Sequence, residues 1–267
     1  MSTESPLENS ARKAVPGKLC QPRCAVVIPA YNEAGTIGPL LDAVLERIQT
    51  VIVVNDASTD ATAAIASIRP VILLNLPRNS GKGHALSTGF RHAIDCGADF
   101  VITLDGDAQH DPADLPKFFG AAVRFPGDLI VGARLMNRNN APINRLLANR
   151  FADFWISWAS GQPLSDSQCG YRCIPSDVLK QIEVPDKPGR GFVFESEFLI
   201  EVSRQGRRVT FVPIRSCYPP DRRPSHFRPV ADIMRITGMV AWKLCSRCLF
   251  IKGLVTSLRS EPHLLQD

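Results

Sequence analysis

The sequence predicts an α/β protein in which a mostly parallel central sheet carries helices on both faces. Between about residues 24 and 133, short apolar runs that suit buried strands alternate with segments whose apolar residues recur at helical spacing. Such alternation is typical of a parallel sheet covered by helices. Three of the runs are followed within a few residues by acidic or amide side chains, and such sheets bind ligands beyond the carboxyl ends of their strands. These observations predict the fold class and the edge that carries the site.

The predicted strands and helices follow one another in a regular order. Apolar runs predict strands over residues 25–28, 51–54, 71–76, 100–104 and 129–131. Between them, an apolar stripe predicts a helix over 33–47, and Asp60 is a suitable cap for the next helix. Gly97 closes a helix over 84–96, and Pro112 opens another.

After about residue 133 the pattern changes to longer helices. We expect helices over 143–160 and 192–204, strands near 169–172 and over 209–214, a loop rich in proline and arginine over 218–229, and an apolar, basic helix from 230 to about 258. The predicted organisation is a flexible leader over 1–22, one α/β domain over 23–230, and an amphipathic C-terminal helix with a tail over 231–267.

Composition restricts the cellular setting. The net charge of +5 suits anionic substrates or an anionic membrane surface, but it serves solubility equally well.

The first 18 residues lack the apolar run of a secretory signal, so the cysteines predict a reduced, cytosolic chain. Cys245 and Cys248 have a zinc-like spacing without a matching second pair, and we interpret them as ordinary thiols. The apolar stretch over 233–258 is interrupted by four basic residues and predicts no membrane span.

Asp105 and Asp107 form the most informative pair in the sequence. They follow a buried strand directly, with Gly106 between them, so both carboxylates can face one hard cation. Gln109 adds a third oxygen. A solvated turn is the alternative, since Asp-Gly is common in turns. With two other acidic strand ends beside it, the pair predicts a metal site that neutralises a departing diphosphate.

The other two strand ends predict a nucleoside site. Asp56 follows the second strand, where an acid can bind a ribose or a base edge. Tyr31 could stack on a base, and Glu33 could accept hydrogen bonds from its ring nitrogens. Helix capping is the alternative for both clusters.

Basic residues predict contacts with phosphate. Lys82, in Asn79-Ser80-Gly81-Lys82-Gly83, follows part of a phosphate-loop pattern without completing it, so we place it near a diphosphate rather than in an ATP site. Arg134 and Arg145 follow the fifth strand, and arginine binds phosphate in a bidentate manner. An exposed helix face is an equal alternative for the nearby Arg138 and Arg150.

Together these segments resemble the family 2 glycosyltransferases with the GT-A fold. Within that family they look most like the polyprenyl-phosphate sugar transferases of the dolichol-phosphate mannose synthase type. The resemblance covers about residues 24 to 230, so the α/β domain would be a GT-A domain. It rests on five segments in family order: 26–33 (VVIPAYNE), 54–60 (VNDASTD), 79–83 (NSGKG), 104–112 (LDGDAQHDP) and 166–172 (DSQCGYR).

The resemblance implies a role for each matching residue. The metal would be Mg or Mn, bound by Asp105, Asp107 and Gln109, and Arg134 and Arg145 would meet the acceptor phosphate. The family's donor loop usually carries Ser-Lys, where this sequence has Ser225-His226. The donor nucleotide sugar would be held by Pro29, Tyr31, Glu33, Val54, Asp56, Lys82, Gly106, Arg222, Ser225 and His226.

The implied activity is inverting, metal-dependent transfer of a sugar from a GDP- or UDP-sugar to a polyprenyl phosphate or related lipid. We expect peripheral membrane contact on the cytoplasmic face and no nucleic acid partner. One alternative is transfer to a hydroxyl of the acceptor, for which Asp166 would be the general base. Asp166 could instead hold its own loop by accepting backbone hydrogen bonds. A sugar-phosphate nucleotidyltransferase is a more distant alternative, but it would need a glycine-rich loop after the first strand, where this sequence has Pro29-Ala30-Tyr31. A binding module without catalysis is disfavoured, because it would not need the acids at the strand ends.

The last helix offers a membrane-binding interpretation. Lys243 and Arg247 are four residues apart, so they would share one basic face of an amphipathic helix at the bilayer interface. Packing of this helix on the protein itself, or on a second subunit, is the alternative.

Overall fold

One mixed sheet organises the chain. The computed structural model describes residues 23–134, 143–182, 193–215 and 229–265, with only the backbone described for 143–148 and 229–233. The predicted leader and nearly all of the predicted proline-rich loop lie outside these ranges. The strands are β1 Cys24–Ala30, β2 Thr50–Asn55, β3 Ile72–Asn75, β4 Phe100–Thr103, β5 Leu129–Ala133, β6 Arg172–Pro175, β7 Val209–Pro213 and β8 His263–Leu264.

The strand order within the described residues is β3-β2-β1-β4-β6-β5-β7-β8. Only β6 is antiparallel to its neighbours, β4 and β5. The helices are α1 Ile37–Leu45, α2 Thr62–Ser67, α3 Lys82–Asp95, α4 Leu115–Arg124, α5 Ile143–Ser160, α6 Ser176–Gln181, α7 Val193–Arg204, α8 Pro229–Cys245 and α9 Ile251–Arg259. A 3-10 turn over Pro112–Asp114 leads into α4.

Helices cover the sheet on both faces because the chain reverses direction after β3. It moves from β1 to β2 through α1 and from β2 to β3 through α2, in the same direction along the sheet. It then returns through α3 to β4, on the other side of β1. Parallel crossovers are right-handed, so the reversal places α3 on the face opposite α1 and α2. The predicted α/β class with a mostly parallel sheet is confirmed.

The central strands are buried on both faces, which explains why their sequences are apolar without alternation. Ile28, Ile52 and Ile102 have no exposed surface. On the α3 side, Gly89 allows the helix to approach the sheet closely. A Cβ at this position would lie 2.4 Å from a methyl group of Val27. The core therefore fixes the strand ends that carry the polar clusters.

Two predicted boundaries move for local reasons. The strand predicted near 169–172 begins only at Arg172. The helix predicted over 33–47 begins at Ile37, because the Glu33 carbonyl accepts hydrogen bonds from the backbone N–H groups of Thr36 and Ile37 and forms a turn there.

The predicted single helix from 230 to about 258 is wrong, since the chain bends sharply between α8 and α9. Three consecutive residues, Cys248, Leu249 and Phe250, have left-handed φ angles of 49°, 63° and 41°. We call this 3-10 turn, Cys248–Phe250, the elbow. The Trp158 indole donates a hydrogen bond of 2.9 Å to the Leu249 carbonyl. Packing by α5 therefore fixes a bend that the apolar pattern does not reveal.

The predicted basic face of the last helix is also corrected. The Lys243 ammonium lies 2.5 Å from a Glu201 carboxylate oxygen and 3.3 Å from one of Glu197, so it joins α8 to α7. The Arg247 guanidinium lies over the Phe250 ring, 4.1 Å from its centroid. For Lys243, packing on the protein itself is the correct interpretation.

The predicted tail returns to the sheet after α9. β8 pairs in parallel with β7. The Thr210 hydroxyl of β7 donates to Asp128 at 2.7 Å and lies 2.8 Å from Nδ1 of His263. Within the described ranges, no helix combines the length and apolar character that a bilayer span requires.

Candidate active site

The carboxyl ends of β1, β2 and β4 meet at one edge of the sheet, as the sequence predicts. The strand register aligns Ala30 with Asn55 and Val27 with Thr103. Hydrogen bonds then join the loops that follow. The backbone N–H of Thr59 donates to the Asn32 side chain at 2.8 Å, and the Thr36 hydroxyl donates to the Gly106 carbonyl at 2.8 Å. The three polar clusters therefore form one site.

Each of these three loops contains a residue with a left-handed backbone. The φ angles are 57° at Asn32, 56° at Ala57 and 55° at Ala108. Alanine has no side-chain hydrogen bond to offset this conformation, which costs about 1–3 kcal/mol per residue. Such strain concentrates at functional sites, where the surrounding contacts maintain it. The geometry of the loops thus agrees with a binding site at this edge.

Asp56 fixes the loop that leads into α3. Its two carboxylate oxygens accept hydrogen bonds of 2.8 Å from the backbone N–H groups of Ser80 and Gly81. Gly81 has a φ of 93°, a conformation that favours glycine. The carboxylate is almost fully buried. Asp56 therefore positions the loop that carries Lys82, in addition to any contact with a nucleoside.

The other residues predicted to bind the nucleoside differ in how far their side chains are exposed. Tyr31, Glu33 and Pro29 are partly exposed at the end of β1. Val54 has no exposed surface, and its side chain packs beside Gly89 of α3. Any contact of Val54 with a donor would therefore use its backbone. Arg222, Ser225 and His226 lie outside the described residues.

Lys82 bridges two carboxylates at the start of α3. Its Nζ lies 2.6 Å from Oδ1 of Asp105 and 3.0 Å from Oε1 of Glu195. Burial alone would lower the pKa of Lys82, but the two carboxylates outweigh it and raise that pKa. Burial alone would raise the pKa of Asp105, but Lys82 and His110 outweigh it and hold the pKa far below its usual range. Lysine and aspartate are therefore both ionised.

Glu195 is the main residue that sequence reasoning missed. It lies in the first turn of α7 and is almost fully buried beside the end of β4. Gly170 provides the space for both acids, because a Cβ there would lie 2.7 Å from Oδ2 of Asp105 and 2.9 Å from Oε1 of Glu195. The sequence carried no distinct signal for it, because Glu195 is one of three glutamates in α7.

His110 lies beside the other carboxylate oxygen of Asp105. Its Nε2 lies 3.8 Å from Oδ2 of Asp105, and its ring lies 5.3 Å from that of Tyr171. Tyr171 in turn stacks on Phe118 with ring centroids 4.1 Å apart. Among the described residues, Nδ1 of His110 and the hydroxyl of Tyr171 are the buried side-chain atoms with no hydrogen-bond partner.

Asp105, Asp107 and Gln109 fit a divalent cation that shares its coordination with a substrate. Asp107 accepts hydrogen bonds from the backbone and side chain of Gln109. In the described part of the chain, no three acidic, histidine or cysteine side chains form a complete metal cage. Mg²⁺ commonly binds through one or two carboxylates plus substrate phosphates and water. Two carboxylates on one short turn therefore provide a suitable set.

Asp166 holds Arg134 in place. The carboxylate accepts hydrogen bonds from the Arg134 backbone N–H at 2.9 Å and from Nε at 2.7 Å, and it forms an ion pair with Nη2. Burial would raise the pKa of Asp166, but Arg134 outweighs it and lowers that pKa. A carboxylate so engaged is a weak base. The geometry favours the interpretation that Asp166 organises its loop and Arg134.

The loop of Asp166 is also fixed from α5. Its backbone N–H and that of Ser167 donate to the Asp153 carboxylate at 3.1 and 2.8 Å. Asp166 itself has a left-handed φ of 52°. The side chain of Arg145, the other predicted acceptor contact, lies outside the described residues.

The chain is similar to several characterised proteins. The model of the family described as glycosyl transferase family 2 matches residues 25–182. An undecaprenyl-phosphate mannosyltransferase of Micrococcus luteus is 32% identical over 204 residues, which are 72% of this chain and 82% of the relative. A UDP-N-acetylglucosamine–dolichyl-phosphate N-acetylglucosaminyltransferase of Methanococcus voltae is 28% identical over 214 residues, with 72% and 85% covered.

A solved structure shares the fold. Glucosyl-3-phosphoglycerate synthase from Mycobacterium tuberculosis, crystallised with Mn²⁺, UDP and glucosyl-3-phosphoglycerate, superposes with a TM-score of 0.60. The match covers 85% of this chain and 80% of the synthase at 22% identity. At that identity the likeness concerns the fold alone.

Proposed function

Because this chain belongs to glycosyl transferase family 2, we propose that it transfers a sugar from a nucleotide-sugar donor to a polyprenyl phosphate, with inversion at the anomeric carbon. The chain is a glycosyltransferase with the predicted GT-A fold. Two relatives are named for transfer to undecaprenyl or dolichyl phosphate, which supports the acceptor. One of them is named for a UDP-sugar, and we propose a GDP- or UDP-sugar as the donor here.

The donor would bind along the ends of β1, β2 and β4. The nucleoside would lie against Tyr31 and Glu33, and the diphosphate beside Lys82. Asp105, Asp107 and Gln109 would hold a divalent cation, Mg or Mn, which neutralises the diphosphate as it leaves. Lys82 contacts Asp105 directly from the start of α3. It would therefore retain the orientation of this carboxylate during substrate binding.

The pair formed by Arg134 and Asp166 is the observation that carries the acceptor assignment. A hydroxyl acceptor must lose a proton as it attacks, so its enzyme needs a positioned base. Asp166 is instead committed to Arg134, and Glu195 to Lys82. A phosphate monoester is already ionised at pH 7. Its oxygen can bond to the anomeric carbon while the bond to the diphosphate breaks and the diphosphate leaves with the electron pair.

Arg134 would orient that acceptor phosphate. Its backbone N–H, Nε and Nη2 are all bound to Asp166, which restricts the guanidinium to one orientation. A guanidinium held in one orientation suits a phosphate, which arginine binds through paired N–H donors. The lipid tail of such an acceptor lies in a bilayer, so we also propose that the protein works peripherally at the cytoplasmic face of a membrane.

One transfer assay tests this function. Purified protein is given a panel of GDP- and UDP-sugars, Mg²⁺ or Mn²⁺, and either polyprenyl phosphate or the free polyprenol. We expect transfer to polyprenyl phosphate and not to the free polyprenol. NMR of the product should show that its anomeric configuration is inverted relative to the donor. Arg134→Ala should raise the acceptor KM, whereas Arg91→Ala, on the exposed side of α3, should not. Transfer to the free alcohol at an equal or higher rate would refute the assignment.

A further inference from the structure

Exposed apolar side chains are concentrated on one part of the surface. Of the eleven large apolar residues that are exposed in the described ranges, eight lie on α5, α8, the elbow or α9, so they are not scattered at random. Trp242 is 74% exposed and Leu258 is 65% exposed. Exposed apolar patches of this kind mark interaction sites. The eight residues are Phe151, Phe154, Met234, Trp242, Leu249, Ile251, Val255 and Leu258.

Packing around the elbow joins these residues into one surface, which we call the elbow surface. The Trp158 indole of α5 binds the Leu249 carbonyl, and its ring stacks on Trp155 at 5.3 Å. The Phe250 ring fills the space over two glycines: a Cβ would lie 2.1 Å from it at Gly253 and 2.8 Å from it at Gly161. Phe250 thus fixes the direction of α9 and leaves Leu249 exposed.

On each C-terminal helix the exposed residues form a stripe. On α8, Met234, Ala241, Trp242 and Cys245 are exposed at helical spacing, while Lys243 points back to α7. On α9, Ile251, Val255 and Leu258 are exposed at spacings of four and three. Each of the two helices therefore presents an apolar stripe to solvent.

Positive charge surrounds these apolar stripes. Arg235, Lys252 and Arg259 are exposed beside them. Arg247 lies over the Phe250 ring at the elbow. Lys243 does not contribute to this margin, because its charge is paired with Glu197 and Glu201 of α7. A surface with an apolar centre and a basic margin complements an anionic lipid bilayer.

We propose that the elbow surface docks on the surface of an anionic phospholipid bilayer. The proposal deepens the proposed function, since it names where the protein meets the membrane that holds its acceptor. The same α5 that carries Phe151 and Phe154 holds the Asp166 loop through Asp153, and Asp166 holds Arg134. Docking by α5, α8 and α9 would therefore be coupled mechanically to the acceptor phosphate contact.

A second copy of the chain fits this surface less well. A two-fold interface would bring the same patch of each copy together. The basic margin would then face an identical basic margin, and like charges repel. The large exposed area of Trp242, an aromatic with a polar N–H, is also typical of the bilayer interface. We therefore assign the surface to lipid.

Vesicle binding tests the proposal directly. The full chain is mixed with vesicles of phosphatidylcholine alone or with phosphatidylglycerol, and bound protein is measured by sedimentation. We expect binding that requires the anionic lipid and weakens as salt is raised. The double variant Trp242→Ser/Leu258→Ser should bind about tenfold or more weakly, because it removes two apolar contacts. The matched control is Ile68→Ser, since Ile68 is 81% exposed at the end of α2.

The results that would overturn the proposal are specific. One is that the double variant binds vesicles as well as the native protein does. Another is that the native protein binds both vesicle types equally. Light scattering of the lipid-free protein gives a third: a dimer that the double variant abolishes would show that the surface is a subunit interface. Circular dichroism checks that the variants fold, as exposed positions should allow.

A water-soluble, short-chain prenyl phosphate separates this proposal from the proposed function. Without vesicles, the double variant should transfer sugar to this short-chain acceptor as well as the native protein does. If neither protein uses any prenyl phosphate but vesicle binding follows the pattern above, the proposed function fails and the docking surface stands. If transfer occurs but vesicle binding does not, the docking surface fails alone.

Discussion

Nζ of Lys82 lies 2.6 Å from Oδ1 of Asp105, so a cation of the protein already occupies one side of the acid that is predicted to bind the metal. Glu195 holds the same ammonium group from α7. The three residues come from the start of one helix, the end of a strand and the start of another helix. The attraction of both acids to Lys82 holds these three side chains together before any substrate binds.

Lys82→Met should therefore reduce stability as well as activity. It leaves the buried Glu195 and the partly buried Asp105 without their shared cation, and breaking a buried ion pair typically costs about 3–5 kcal/mol. Lys82 is partly accessible, with 20% of its side chain exposed, so we expect the lower end, about 3 kcal/mol. Urea unfolding measures the loss. Glu195→Gln retains an oxygen for Lys82 and should lose less; a larger loss than that of Lys82→Met would contradict this account.

Asp107→Ala should abolish transfer without altering the fold. Asp107 is partly exposed on a turn after β4, and its side chain contacts Gln109 rather than the core. Its loss would remove a metal ligand and with it the charge that stabilises the leaving diphosphate. Steady-state kinetics and circular dichroism test the two halves separately. Full activity in this variant, or in the native protein with excess EDTA, would show that no metal is needed.

Gly170→Ala should reduce kcat strongly, because its Cβ would lie 2.7 Å from Oδ2 of Asp105. The carboxylate must move, and a displacement of about 1 Å at such a site can cost about 10²-fold in rate. Gly120→Ala is the matched control, since nothing lies within 4 Å of a Cβ there. Similar kinetics for the two variants would show that the position of Asp105 is not critical.

Asp166→Asn should cost clearly less than about 10²-fold in kcat, because we expect Asp166 to position Arg134 rather than to remove a proton. The change keeps the shape of the side chain and removes its basicity. A nearly inactive variant with unchanged stability would instead identify Asp166 as a base and favour a hydroxyl acceptor.

The same variant should change the acid dependence of stability. The pKa of Asp166 is lowered in the folded protein, because Arg134 outweighs the effect of burial. A lowered pKa stabilises the fold above the unfolded value, near 3.9, and this contribution is lost as pH falls below it toward the folded value. The native protein should therefore exceed Asp166→Asn in unfolding free energy at pH 6, and the difference should shrink below about pH 4. A difference independent of pH would exclude the ion pair as its cause.

The sequence predicts the strand ends well because their pattern is local. Buried parallel strands are continuously apolar, and the polar residues of Asp105-Gly106-Asp107 follow one of them without a gap. Right-handed crossovers then leave little freedom in how those ends meet. The positions of Asp105 and Asp56 at one edge therefore follow from the sequence.

Glu195 and the elbow could not be predicted because tertiary contacts decide them. Glu195 lies in a helix, 90 residues after Asp105, and only the packing of α7 brings it to Lys82. The helical pattern continues across Leu249 and Phe250, yet the Trp158 hydrogen bond and two glycines fix a bend there. The sequence spacing of Lys243 likewise predicts an exposed basic face, and only the packing of α7 shows that its acids bind this lysine.

The two-residue strand β8 shields the outer edge of β7. Without it, the backbone N–H and C=O groups of Thr210 and Phe211 would lie open on a sheet edge, and such edges pair with other chains. Expression vectors that shorten the chain before His263 should consequently yield self-associating material. Affinity handles for purification are then better attached at the other terminus, far in sequence from this protective strand.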